Sequence, residues 1–136
     1  MINLYQLHKN PKKLEKYKDY GHLITKLIEK EYSEYGPILH VIKRSPEYSY
    51  WYASRCLYSR WFEAEPIIMT SSWYSYVYAR NVIKDRWKEA EDVIMKEPWH
   101  AYSYAYVIMK TRWIDAEPII KTNDYAWENY CREFNI

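Results

Sequence analysis

Three decapeptides, "RWFEAEPIIM", "RWKEAEDVIM" and "RWIDAEPIIK", begin at Arg60, Arg86 and Arg112, so one phrase recurs every 26 residues. Self-similarity at such a period constrains a fold strongly. Each copy is one supersecondary unit, and it buries its apolar face only against its neighbours. The register extends into a second segment. "SPEYSYWYASRCLYS" from Ser45, "SSWYSYVYARNVIKD" from Ser71 and "EPWHAYSYAYVIMKT" from Glu97 align, and "NDYAWENYCREFNI" from Asn123 is a worn fourth copy. Tyrosine stands at 52, 78, 104 and 130, and again at 50, 76 and 102; alanine stands at 53, 79 and 105, with Cys131 in the fourth place.

A degenerate copy lies upstream, where "EYSEYGPIL" from Glu31 matches the aromatic, acid and proline positions of "RWFEAEPII". The chain of 136 residues is therefore expected to form one domain: a capping segment over 1–30, a degenerate repeat over 31–59, repeats over 60–85 and 86–111, and a C-terminal capping repeat over 112–136.

Each repeat reads as a pair of short helices. In the Tyr-rich segment, Tyr76, Ala79, Val82 and Ile83 fall on one helical face. Ser45 and Ser71 suit an N-cap, and Pro46 and Pro98 suit the first helical position. In the RW phrase the acids at 63/65, 89/91 and 115/117 belong in a first turn, where the helix dipole favours them. Pro66 and Pro118 require that helix to start close before them, because an interior proline costs about 3 kcal/mol. Helices this short persist only by stacking. The expected fold is all-α, a solenoid-like array of short helical-hairpin repeats with period 26.

The remaining composition narrows the chemistry. Twenty Lys/Arg against eighteen Asp/Glu leave a formal charge of +2, so no strong field points to nucleic acid or a membrane surface. Seventeen Tyr and seven Trp stand against two Phe, a bias towards rings with a polar tip. Cys56 and Cys131 lack a CxxC partner and read as free thiols in a reducing, cytoplasmic setting. No apolar run reaches the length expected of a signal peptide or a membrane span.

Catalytic patterns are missing. The four histidines His8, His22, His40 and His100 share no metal-ligand spacing, and no P-loop, GxSxG or GxGxxG occurs. The paired acids occur three times, whereas an active site occurs once, so helix-terminal acids explain them better than a glycosidase pair. A non-enzyme without metal or cofactor is expected.

Two columns remain. Arg60, Trp61 and Glu65, with Arg86, Trp87 and Glu91 and with Arg112, Trp113 and Glu117, read as a structural ladder tying repeats together; a phosphate-contacting arginine row is the weaker alternative. The Tyr column at Tyr52, Tyr78, Tyr104 and Tyr130, flanked by Tyr74 and His100, forms a candidate aromatic seam. It either fills space between repeats or binds a partner.

The pattern "RWxEAEPxI" followed by "AYxYAxxVIK", best kept in Arg60–Met69 with Ser75–Lys84 and in Arg86–Met95 with Ala101–Lys110, resembles short helical repeats in uncharacterised proteins of tailed bacteriophages. The resemblance spans roughly residues 45–130. It implies a small phage protein acting in the host cytoplasm, of a kind that often binds and inhibits a host enzyme, including those of defence systems. The function expected is a non-enzymatic scaffold that docks on a protein. The runner-up is single-stranded nucleic-acid binding, with Tyr and Trp stacking on bases and Arg or Lys on phosphates. A self-assembling structural protein is a third reading.

Overall fold

The computed structural model describes residues 42–136. The capping segment expected over 1–30, the upstream copy from Glu31, and His8, His22 and His40 lie outside the described residues. So does the side chain of Cys56. Among the described residues every regular element is helical and none is a strand. The chain divides into two compact units, Met1–Ile68 and Met69–Ile136.

In the first unit, α1 spans Pro46–Tyr52 and continues into a π-helical turn, Ala53–Leu57. A 3-10 turn over Phe62–Ala64 then leads into α2, Glu65–Ile68. Ser45 caps α1 by accepting the Tyr48 N–H, and Pro46 takes the first position, where its missing N–H leaves nothing unsatisfied. The Ser49 hydroxyl, fully buried, donates to the carbonyl of Ile42 at 3.1 Å.

The second unit runs through the same order of elements twice and then closes. α3 is Ser72–Tyr78, followed by a π turn at Ala79–Ile83, a 3-10 turn at Lys88–Ala90 and α4 at Glu91–Ile94. α5 is Pro98–Tyr104, followed by a π turn at Ala105–Met109, a 3-10 turn at Ile114–Ala116 and α6 at Glu117–Ile120. The last copy forms one longer helix, α7, Asp124–Phe134, capped by the Asn123 side chain on the Ala126 N–H.

Each Tyr-rich helix packs most closely on the short helix that follows it: α1 on α2, α3 on α4, α5 on α6. The hairpin therefore opens at the cap residues Ser45, Ser71 and Glu97. The frame drawn from the sequence, cut at Arg60, Arg86 and Arg112, divides each hairpin in two. The boundary between the compact units, after Ile68, falls between hairpins.

The front segment, expected as a short helix, is a 3-10 turn feeding a single α-turn. Glu65–Pro66 and Glu117–Pro118 open their helices, so neither proline removes an internal bond. The Tyr-rich helices also depart from the expected 3.6-residue period. Each ends in a five-residue π turn, closed in the second copy by the Lys84 N–H to Ala79 carbonyl bond at 2.7 Å. The π turn leaves Val82 and Ile83 half-buried while Tyr76 and Ala79 are buried. It stops at a left-handed residue, Tyr58 (φ 49°), Lys84 (φ 60°) or Lys110 (φ 54°), in the place where glycine is usual.

Small residues sit where backbones meet. In the second unit Ser75, Ala79, Ala90, Ala101, Ala105 and Ala116 are fully buried, as are Ile94 and Ile120 at the base of each hairpin. Burying each isoleucine contributes roughly 1.5–3 kcal/mol. The alanines allow the close approach that this burial requires.

Candidate functional site

The RW phrase and the Tyr column meet in a repeated node. Arg86 holds Glu91 with two bonds, Nε to Oε1 and Nη2 to Oε2, each 2.9 Å. The hydroxyl of Tyr104, from the next copy, accepts the Trp87 backbone N–H at 2.7 Å and donates to Glu91 Oε1 at 3.0 Å. One repeat on, Arg112 Nε lies 2.8 Å from Glu117 Oε1, and the Tyr130 hydroxyl accepts the Trp113 N–H at 2.8 Å while donating to Glu117 Oε1 at 3.1 Å. In the first unit Arg60 holds Glu65 through the same two-bond fork, at 2.8 and 2.9 Å.

The tyrosines of this column also pack through their rings. Tyr52 lies 4.7 Å from Trp61, Tyr78 lies 5.0 Å from Trp87 and Tyr104 lies 5.1 Å from Trp113, centroid to centroid. For Tyr130 the ring neighbour is Phe134, at 4.7 Å. Burial raises the Tyr104 and Tyr130 phenols above their ordinary pKa, so both keep their protons to donate to the glutamates. The bond to Glu91 raises Arg86, and that to Glu117 raises Arg112.

The node alters the aromatic seam. Tyr78, Tyr104 and Tyr130 are fully buried and offer no ring to a partner. For Tyr104 and Tyr130 the cause lies in the hydroxyl: a ring whose oxygen must reach a backbone N–H 17 residues back has to lie between hairpins. Tyr52, Tyr74 and His100 are half-buried. The arginines fork onto glutamates five residues along their own phrase, so each carries its counter-charge with it.

A different aromatic row faces outward. Trp73, Trp99 and Tyr125 share one repeat position in the first turns of α3, α5 and α7, and are 48%, 40% and 69% exposed. Each sits six residues before the alanine-column position (buried Ala79 and Ala105, half-buried Cys131), about 120° round a helix, so it points away from the core. Trp73 lies 5.4 Å from the His100 ring and 5.8 Å from Tyr76. Trp99 lies 6.1 Å from Tyr125 and 5.8 Å from Tyr102, the latter edge-on at 69°. Tyr106, 47% exposed, stacks on Tyr102 at 6.0 Å and 11°.

His100 is fixed within this row. Its Nδ1 lies 2.7 Å from the Ser72 hydroxyl, whose own proton goes to the Ile94 carbonyl at 3.0 Å. Nδ1 therefore carries the hydrogen of that contact. Burial lowers the His100 pKa against the opposing pull of Glu97, so the ring is neutral at pH 7.

The outward row was readable in the sequence alignment as Trp73, Trp99 and Tyr125 in one column, with Glu47 in the first unit's copy. Among the described residues no cluster of three metal-binding side chains exists, and no helix is long and apolar enough to cross a membrane. Comparison with protein-family models, curated proteins and solved structures finds no match.

Proposed function

We propose that this chain is a non-enzymatic protein-binding scaffold, a solenoid-like array of 26-residue helical hairpins that docks a partner on its outward aromatic row. The observation that carries this reading is the exposure of Trp73, Trp99 and Tyr125, the last two on helices, α5 and α7, whose opposite faces are locked by the Tyr104 and Tyr130 nodes. Exposed tryptophans on rigid supports are favourable anchors, since they bury much area and lose little conformational freedom on binding. The likeness of the repeat motif to phage helical repeats adds a context: an accessory protein in the host cytoplasm that binds and inhibits a host defence protein.

Nucleic-acid binding fits less well. Residues 69–136 hold nine Lys/Arg against ten Asp/Glu, and the recurring arginines are paired.

The test is affinity purification from bacterial lysate with and without nuclease, using the wild-type chain beside a Trp73→Ala/Trp99→Ala variant. A protein recovered despite nuclease and lost at least tenfold by the variant supports the scaffold. Recovery that needs nucleic acid, or that ignores the two tryptophans, contradicts it.

A further inference from the structure

Resting on that reading, we infer that the outward row of the second unit receives an extended proline-rich segment of the partner, in the polyproline II conformation, running across α3, α5 and α7.

The first argument is electrostatic complementarity. Positions 73, 99, 102, 106 and 125 carry no charge; the charges that act on Tyr102, Arg132 and Glu133, are of opposite sign, and Arg132 is paired with Glu128 at 3.1 Å. The indole N–H groups of Trp73 and Trp99 and the hydroxyls of Tyr102, Tyr106 and Tyr125 make no hydrogen bond among the described residues. The face thus combines electron-rich ring surfaces with unused donors and no net charge. A polyproline II segment is its counterpart: no internal hydrogen bonds, backbone carbonyls free to accept, and pyrrolidine C–H groups to lie against aromatic faces.

The second argument is shape. The pairs made between neighbouring helices, Trp73 with His100 and Trp99 with Tyr125, are tilted by 48° and 47° and so bound notches, whereas Tyr102 and Tyr106 stack at 11°. A puckered pyrrolidine touches both walls of such a notch, whereas a flat nucleobase stacks on only one.

The third is register. α3 packs on α5 and α5 on α7, and packed helices lie about 8–10 Å apart. A polyproline II helix advances about 9 Å in each three-residue turn. Successive notches therefore meet every third residue of the ligand, giving a P-x-x-P preference.

The experiment titrates the full-length chain with a proline decamer, and in parallel with a Gly/Ser decamer and a thymidine decamer at low salt, following the two indole N–H resonances. Saturable shifts of Trp73 and Trp99 with the proline decamer alone, weakened at least tenfold by Trp99→Ala, are expected. Equal shifts with Gly/Ser, shifts with thymidine, or none with proline overturn the proposal. Selection from a displayed random 12-residue peptide library separates its failure from that of the scaffold. Enrichment of P-x-x-P sequences dependent on Trp99 supports both. Proline-free sequences dependent on Trp99 overturn the proline-rich ligand and leave the scaffold standing. No Trp99-dependent peptide overturns both.

Discussion

The hydroxyl of Tyr104 accepts the backbone N–H of Trp87 at 2.7 Å, across 17 residues and from one copy of the repeat to the one before. The same hydroxyl donates to Glu91, which Arg86 grips from outside. Tyrosine therefore recurs in this column for its oxygen as much as for its ring: phenylalanine would fill the space and leave the tryptophan N–H without a partner. The preference for Tyr over Phe along the chain, seventeen against two, has part of its physical cause here.

Replacing Tyr104 with Phe removes the acceptor and leaves a buried N–H unsatisfied. A loss of about 1–3 kcal/mol is expected, read as a lower urea midpoint at unchanged slope. Tyr130→Phe repeats the effect at Trp113.

Lys110 sits at φ 54° after the π turn, a conformation that a Cβ atom disfavours by roughly 1–2 kcal/mol. Lys110→Gly relieves that strain, partly offset by the greater freedom of the unfolded chain. The expected net change is a stabilisation of about 0.5–1 kcal/mol, measured by urea unfolding; Lys110→Val moves the midpoint the other way.

Ala90 is fully buried beneath the Lys88–Ala90 turn. Ala90→Leu has no room and is expected to destabilise by about 1–3 kcal/mol. The same substitution at exposed Lys88 is expected to stay within about 0.5 kcal/mol.

His100 has a folded-state pKa below its ordinary value, so the unfolded chain binds the proton more readily. The stability tied to this group is present above about pH 6.5 and is lost as pH falls through the folded-state pKa. Unfolding midpoints between pH 7.5 and 5 are expected to fall for the wild type and to flatten for His100→Asn.

These outcomes also mark what the sequence made legible. The Ser45 and Ser71 caps, the prolines opening α1, α2, α5 and α6, and the all-helical character of the described residues follow from local chemistry. The π turns and left-handed residues at Tyr58, Lys84 and Lys110 escaped because no glycine or proline marks them. They arise from the way each hairpin closes, and three different side chains tolerate them. The hairpin frame was also hidden, since a repeat has no natural first residue until packing chooses one.

For the site, repetition alone could not separate two columns of rings. Tyr104 and Trp99 both stand in columns of rings that repeat every 26 residues, yet one is fully buried and the other 40% exposed. The difference comes from the tyrosine hydroxyl finding a backbone N–H in the preceding copy, a long-range partnership that no helical wheel displays.

The division of labour between these columns is tested most directly by measuring stability and affinity together on Tyr104→Phe and Trp99→Ala, with a peptide selected by display as the ligand. Tyr104→Phe is expected to lower the unfolding free energy while the folded protein keeps its affinity within about twofold. Trp99→Ala is expected to weaken binding at least tenfold, about 1.4 kcal/mol, with a smaller loss of stability than Tyr104→Phe. Affinity lost in Tyr104→Phe and kept in Trp99→Ala would contradict the account.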